Sequence, residues 1–115
     1  MHIDVEIRGD VALAVISGEV DLATGSSFAD EVLGKMPNTC RALVVDLSEL
    51  RYIDSAGVRS LFEIGAVLDR RDQPFALTVP HDSLLRSVLK ITQVEEVATM
   101  CGKREEALAA VSSTD

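Results

Sequence analysis

A hydroxyl and a carboxylate stand side by side in the segment Asp-Ser-Ala-Gly at residues 54–57. This segment follows the apolar run at residues 42–47 and precedes a stretch whose apolar residues repeat at helical spacing. Ser55 is therefore predicted to lie where a buried strand passes into a helix, which is where open α/β sheets hold ligands and reactive groups. Its hydroxyl could be a helix cap, a nucleophile or a switch.

As a helix cap, an oxygen at this position would accept a hydrogen bond from a free N–H group of the first helical turn. Either Asp54 or Ser55 could supply that oxygen. No Glu or Gln follows at the spacing that a capping box requires. The residue types alone therefore leave the identity of the cap open.

As a nucleophile, Ser55 would resemble the strand-to-helix elbow of hydrolases, whose pattern is Gly-x-Ser-x-Gly. Ile53 occupies the position of the first glycine. A nucleophilic serine also needs a general base, and the only histidines, His2 and His81, are predicted to be solvated surface residues. We therefore expect no catalytic residue and no enzymatic activity.

As a switch, Ser55 would have to be accessible to another protein. The neighbours Ala56 and Gly57 are small, and a glycine in a first helical turn can indicate the close approach of another backbone. The segment Gly-Glu-Val-Asp at residues 18–21 is predicted to follow the second strand and to reach the same edge of the sheet. This edge would carry a negative field from Glu19, Asp21, Glu49 and Asp54.

Neither a metal nor a cofactor is predicted. The acidic residues lack the spacing of a calcium or magnesium loop, and the chain has no glycine-rich phosphate loop. Its two cysteines, Cys40 and Cys101, do not form a metal-ligand pair. Both are predicted to be free thiols.

The composition predicts one soluble domain over residues 1–115. Apolar residues make up 47% and aromatic residues only 3%, so the core must be mostly aliphatic. The net charge of −8 disfavours direct binding to nucleic acid and to anionic membranes. No signal sequence or membrane-spanning stretch is apparent, and a cytoplasmic location without membrane insertion is expected.

The apolar patterns predict the order β-β-α-β-α-β-α-β-α. An initial hairpin followed by βαβ units indicates an α/β fold with a mostly parallel sheet, an antiparallel N-terminal edge strand and helices packed on it. Gly18 is predicted to end the second strand, and the third strand is predicted over residues 41–47. In the third helix, the residues predicted to face inward are Leu84, Leu85, Val88 and Leu89.

Two segments together resemble the STAS family, and specifically its anti-sigma factor antagonists. Residues 18–21 resemble the family's Gly-Glu-Leu-Asp, and residues 44–57, V-V-D-L-S-E-L-R-Y-I-D-S-A-G, resemble its signature strand, loop and phosphorylatable serine. The resemblance implies that Ser55 is the phosphoacceptor. It also implies that Asp21 and Asp54 lie near the binding surface for an anti-sigma factor that is an ATP-dependent serine kinase.

The resemblance implies a partner switch. The unphosphorylated chain would bind the anti-sigma factor and release a sigma factor for transcription, phosphorylation would break the complex, and a phosphoserine phosphatase would restore it. A phosphate at a helix N-terminus is favoured by free N–H groups and the helix dipole, so little rearrangement is expected. The predicted partner-binding residues are Glu19, Asp21, Asp54, Ser55, Ala56, Gly57 and Val58.

The alternative within the family is a STAS scaffold or accessory protein outside sigma control, such as a stressosome component or a lipid-transport accessory subunit. The chain departs from its relatives after the third helix, where Gln93 replaces a glycine that would suit a left-handed cap. The family fold would also place Cys40 and Cys101 at opposite ends of the sheet, so no disulfide between them is expected.

Overall fold

The computed structural model describes residues 1–20 and 22–112, apart from the side chains of residues 22–27. Its elements follow the predicted order, with one additional 3-10 turn at Val94–Glu96. The strands are β1 His2–Arg8, β2 Val11–Val20, β3 Ala42–Ile53, β4 Phe75–Thr78 and β5 Thr99–Cys101. The helices are α1 Leu22–Lys35, α2 Ser55–Arg70, α3 Leu84–Thr92 and α4 Arg104–Ser112.

The five strands lie side by side in chain order. β1 pairs antiparallel with β2, and every other neighbouring pair is parallel. The larger apolar cluster packs α1, α2 and Leu89 of α3 against one face of the sheet, while α4 covers the other face through Ala107 and Val111. The predicted α/β fold, a mostly parallel sheet with an antiparallel edge strand, is confirmed.

β2 and β3 are both longer than the sequence patterns predicted. Gly18 does not end β2, because its positive φ of 89° lets the strand pass through an irregularity and continue to Val20. A second irregularity, between Val15 and Ser17, inserts one extra residue into β3, which then continues to Ile53. Bulges of this kind bend a strand without ending it. Glu19 consequently lies within β2 instead of in a loop after it.

An ion pair between a buried carboxylate and a half-buried guanidinium fixes the start of the β3 irregularity. The carboxylate of Asp46 is 1% exposed. It accepts a hydrogen bond from the backbone N–H of Ser48 at 2.8 Å and another from Nε of Arg104, on α4, at 2.8 Å. The hydrogen bond to Asp46 raises the pKa of the Arg104 guanidinium. α4 is thereby attached to the strand that leads to Ser55.

The inward face of α3 differs from the prediction. Leu89 is buried and Leu85 is half-buried, but Leu84 and Val88 are exposed. The four positions lie within one arc of about 140° around the helix, and α3 is rotated so that the side of the arc with Leu85 and Leu89 faces the core while the side with Leu84 and Val88 faces solvent. The helix ends at Gln93, whose φ of 64° is in the left-handed region that a glycine would favour.

The two cysteines are free thiols at different ends of the sheet. Cys40 is buried just before β3, and Cys101 is the last residue of β5. Burial raises the pKa of both thiols. None of the helices in the described part of the chain is long and apolar enough to cross a membrane.

Candidate functional site

Asp54, and not Ser55, is the N-cap of α2. Its backbone is extended, and its carboxylate accepts hydrogen bonds from the N–H groups of Ala56 at 3.0 Å and Gly57 at 3.1 Å. Its own N–H donates to the carbonyl oxygen of Val20 at 3.1 Å, which ties the start of the helix to the end of β2. The choice that the residue types left open is therefore settled by geometry.

Ser55 is the first residue of α2 and is exposed. Because Asp54 supplies the cap, the fold makes no use of the serine hydroxyl for that purpose. Two of the N–H groups that could receive a phosphate already donate to Asp54. The helix N-terminus would therefore stabilise a phosphate on Ser55 less than an uncapped terminus would, because a carboxylate already accepts from these donors.

Gly57 is buried against the chain's own side chains. A Cβ atom at this position would lie 2.5 Å from Cγ1 of Ile53 and 2.7 Å from Cγ1 of Val20. The interpretation of Gly57 as a point where another backbone approaches is thus corrected, since β2 and β3 fill that space. Gly57 shapes the site from within, while its neighbours Ala56 and Val58 are half-buried.

The ends of β2 and β3 bring acidic residues toward Ser55. Glu19 is exposed and lies opposite Tyr52 in the sheet, and Val20 lies opposite Ile53, so both pairs directly precede the start of α2. Glu49 is exposed further back along β3. The predicted contribution of Asp21 lies outside the described residues. Within the described residues, Glu19 and Asp54 form an acidic rim at this end of the sheet, and the predicted contribution of Glu49 is corrected, since Glu49 lies back along β3 opposite Ser17.

The arrangement around Ser55 does not resemble a hydrolytic site. His2 hydrogen-bonds to Asp4 at 3.2 Å, and His81 lies where a Cβ atom on Gly102 would clash with its ring. In the described residues, no hydrogen bond joins either imidazole to Ser55, and no group of three or more His, Cys, Asp or Glu side chains could hold a metal ion. Ser55 is an accessible hydroxyl beside carboxylates.

A groove at the end of β3 did not follow from the sequence patterns. It has a volume of about 200 Å³ and lies between the end of β3 and α3. The available signal was the width of the apolar arc of α3, about 160°, which exceeds the stripe that a helix on a sheet needs to face the core. The groove is lined by Arg51, Tyr52, Ile53, Leu84, Leu85 and Val88.

Solved structures with this fold include regulators and a transporter. The chain is similar to an anti-sigma factor antagonist from Mycobacterium paratuberculosis, at 22% identity and a TM-score of 0.79, over 97% of this chain and 94% of that one. It is similar to the phosphorylated form of the Bacillus cell fate determinant SpoIIAA, at 15% identity and a TM-score of 0.66, over 96% and 99% of the two chains.

The transporter is the murine solute carrier 26 family member A9, an anion transporter, at 14% identity and a TM-score of 0.79. The match covers 95% of this chain and 19% of that one. At these identities the likenesses show the fold alone. The family match is more specific, because residues 3–100 match the family described as "Mlab, STAS domain". The chain therefore belongs to the STAS domain family.

Proposed function

We propose that this protein is an anti-sigma factor antagonist controlled by phosphorylation of Ser55. Unphosphorylated, it binds an anti-sigma factor that is also a serine kinase, and the sigma factor is released for transcription. The observation that carries the proposal is an exposed serine at the first position of α2, left free of the capping role by Asp54. The similarity to anti-sigma factor antagonists, one of them in a phosphorylated form, supports it.

The switch acts through charge and bulk at the docking surface. A phosphate adds about −1.5 to −2 charges at neutral pH. On Ser55 it stands next to the carboxylate of Asp54 and near the rest of the acidic rim. The interface with a partner docked on this rim must then accommodate three further oxygens, and the water bound to these oxygens must be removed. A loss of about 3 kcal/mol weakens binding more than a hundredfold.

The proposed docking surface is the start of α2 and the ends of the strands before it. The protein acts by binding in the cytoplasm and has no catalysis of its own, while a phosphoserine phosphatase resets it. Val58 contributes at the edge of the surface, and Gly57 keeps the helix close to β2 and β3. The proposed contact residues are Glu19, Asp21, Asp54, Ser55, Ala56 and Val58, and Gly57 supports them from beneath.

Phosphate mapping tests the assignment of Ser55. The protein is incubated with the purified anti-sigma kinase of its host and Mg-ATP, and the modified residue is located by mass spectrometry. We expect phosphate on Ser55 and none on the Ser55→Ala variant. Ser87→Ala, which removes an exposed serine from α3, is the matched control and should be modified like the wild type. Phosphate elsewhere, with Ser55 unmodified, would contradict the assignment.

Binding measurements test the switch itself. By isothermal titration calorimetry, Ser55→Ala should bind the anti-sigma factor as the unphosphorylated wild type does, because the hydroxyl makes no capping contact. Ser55→Asp should bind at least tenfold more weakly, since it places a second carboxylate beside Asp54. Equal affinities for the two variants would remove the role of charge at this position.

The second candidate is a STAS scaffold or accessory protein outside sigma control. The observation in its favour is the similarity to the anion transporter and the description of the matching family. Stable co-purification with a membrane transport protein would favour this candidate, provided that no anti-sigma kinase binds and that Ser55→Asp leaves the association unchanged.

A further inference from the structure

A phosphate on Ser55 would find most of the backbone donors at the start of α2 already in use. A helix leaves its first four N–H groups without a helical acceptor, and in α2 these belong to residues 54–57. The N–H of Asp54 donates to the carbonyl oxygen of Val20, and those of Ala56 and Gly57 donate to the carboxylate of Asp54. The phosphate oxygens, which are strong acceptors, therefore need a side chain as their partner.

Arg59 lies one helical turn beyond Ser55 on the same face of α2. Residues four positions apart on a helix have Cβ atoms about 5–6 Å from each other. Side chains on a helix lean toward its N-terminus, so the long side chain of Arg59 extends toward Ser55. Both residues are exposed, so the fold does not have to open for them to meet. The helix thus holds a cation within reach of a group attached to Ser55.

The guanidinium of Arg59 is not engaged by another acid. Three other arginines form ion pairs within the described residues, and Arg59 does not. Glu63 is exposed one turn further along α2, yet no ion pair joins it to Arg59 in this part of the chain. An acid four residues before a base stabilises a helix better than the reverse order. A phosphate on Ser55 stands in the favourable order, whereas Glu63 does not.

Arg51 is the other exposed cation close to Ser55 in the sequence. It lies on β3, three residues before Asp54. Three residues of extended chain span about 10 Å. Arg51 also lines the groove at the end of β3. It therefore has no helical register with Ser55, and Arg59 is better placed to reach a phosphate there.

The remaining charges near Ser55 oppose a phosphate. Asp54 directly precedes it, and Glu19 lies at the end of β2. Neighbouring carboxylates raise the second pKa of a phosphate, while a neighbouring guanidinium lowers it. A guanidinium can also donate two parallel hydrogen bonds to phosphate oxygens. Arg59 is thus the group that favours the doubly charged phosphate beside the acidic rim.

We propose that Arg59 binds the phosphate of phosphorylated Ser55 and holds it on the surface of α2. This inference rests on the proposed function and deepens it, because it gives the phosphate a partner within the chain. The pair keeps the phosphate doubly charged and at a fixed place on the docking surface. The unphosphorylated protein has no such use for Arg59.

The test uses protein in which phosphoserine is incorporated at residue 55 during translation, so that no kinase is required. Phosphorus-31 NMR follows the titration of the phosphate. We expect its midpoint, ordinarily near pH 6, to lie about 0.5 higher in Arg59→Gln than in the wild type, because the cation one turn away is lost. Arg51→Gln is the matched control, since it removes another exposed cation on the same side of the charge balance. It should raise the midpoint by less than about 0.2, because charges about a Debye length apart are screened.

Thermal unfolding of the unphosphorylated variants establishes that each of them is folded. Equal midpoints in the wild type and Arg59→Gln would overturn the proposal, and so would equal shifts in Arg59→Gln and Arg51→Gln, since a pair specific to Arg59 predicts neither. Either result leaves the proposed function intact if the anti-sigma kinase still modifies Ser55. Absence of phosphate from Ser55 in the mapping experiment would instead overturn the proposed function, and with it the role given to Arg59.

Discussion

Asp46 lies on β3, and Asp54 follows the end of the same strand eight residues later. Their carboxylates have different roles. Asp46 is 1% exposed and is held by Arg104 and the N–H of Ser48. Asp54 is half-buried and holds the first N–H groups of α2. One carboxylate is buried and paired with the half-buried guanidinium of Arg104, while the other caps a helix at the surface beside Ser55.

This difference separates a carboxylate that holds the fold together from one that shapes the surface beside Ser55. Removing the cation beside a buried carboxylate leaves a charge that water cannot reach, whereas removing a surface cap exposes N–H groups to solvent. The consequences for stability therefore differ in size. Substitutions test that difference, and the largest loss of stability is expected when the Asp46–Arg104 pair is broken.

Arg104→Leu breaks the buried pair. We expect it to lower the free energy of unfolding by about 3–5 kcal/mol, because Asp46 is left charged and without its cation. Urea denaturation measures the loss. The control Arg41→Leu breaks the exposed pair with Asp10, at 2.6 Å, and should cost less than about 1 kcal/mol. Equal losses in the two variants would mean that burial does not distinguish the pairs.

Gly57→Ala tests how tightly the Ser55 end is packed from within. The new methyl group would meet Ile53 and Val20, so we expect a loss of about 1–3 kcal/mol. The matched control is Gly34→Ala in α1, where a Cβ atom meets nothing within 4 Å and alanine should stabilise the helix by about 0.5–1 kcal/mol. Thermal or urea unfolding measures the change in the free energy of unfolding, which should be negative for Gly57→Ala and positive for Gly34→Ala. Stabilisation by both substitutions would contradict the close packing at Gly57.

Asp54→Ala and Ser55→Ala separate the cap from the presented hydroxyl. The first should cost about 1 kcal/mol, because it removes the acceptor for two N–H groups. The second should change stability by less than about 0.5 kcal/mol. Ser83→Ala, which removes the cap of α3, serves as the reference for the cost of a lost cap. A larger loss in Ser55→Ala than in Asp54→Ala would show that the serine is structural.

Substitution of the two cysteines is expected to change stability least. Their thiols are buried or half-buried without a cation as a partner, so they show the effect of burial alone. Burial raises the pKa of Cys40 and Cys101 in the folded protein, with smaller contributions from nearby carboxylates. The folded state therefore holds the thiol protons more tightly, and this stabilisation, complete below the unfolded pKa of about 8.5, is lost as pH rises through the folded pKa. Stability measured between pH 8 and 10 should fall less steeply in Cys40→Ala/Cys101→Ser than in the wild type.

The order of the elements and the parallel sheet could be predicted from the sequence, because apolar runs and helical spacing are local signals. The lengths of β2 and β3 could not, since they depend on irregularities that Gly18 and the residues after Asp46 make possible only when the strands pair. The Asp46–Arg104 pair joins residues 58 positions apart. Asp54 and Ser55 are both residue types that cap helices, so only the three-dimensional structure shows that Asp54 is the cap.

The candidate site could also be predicted only in part, because some of its features are local in the sequence and others depend on how the elements pack. A serine at the strand-to-helix junction follows from local pattern, and the structure places Glu19 and Asp54 at the same end of the sheet. The outward face of α3 did not follow, because Leu84 and Val88 have the same residue types as core positions. Only the course of α3 beside the end of β3 shows which of its apolar residues remain exposed.

The sequential order of the strands has a consequence for how the protein is made. Each strand lies beside the one synthesised before it, so the sheet can grow strand by strand as the chain leaves the ribosome. Asp46 is the exception, because its cation arrives only with α4. Until then the face formed by Val11, Leu13, Val44 and Ala76 is also uncovered. We therefore expect nascent chains arrested before residue 104 to be the ones that recruit chaperones, and the docking of α4 to be the step that releases them.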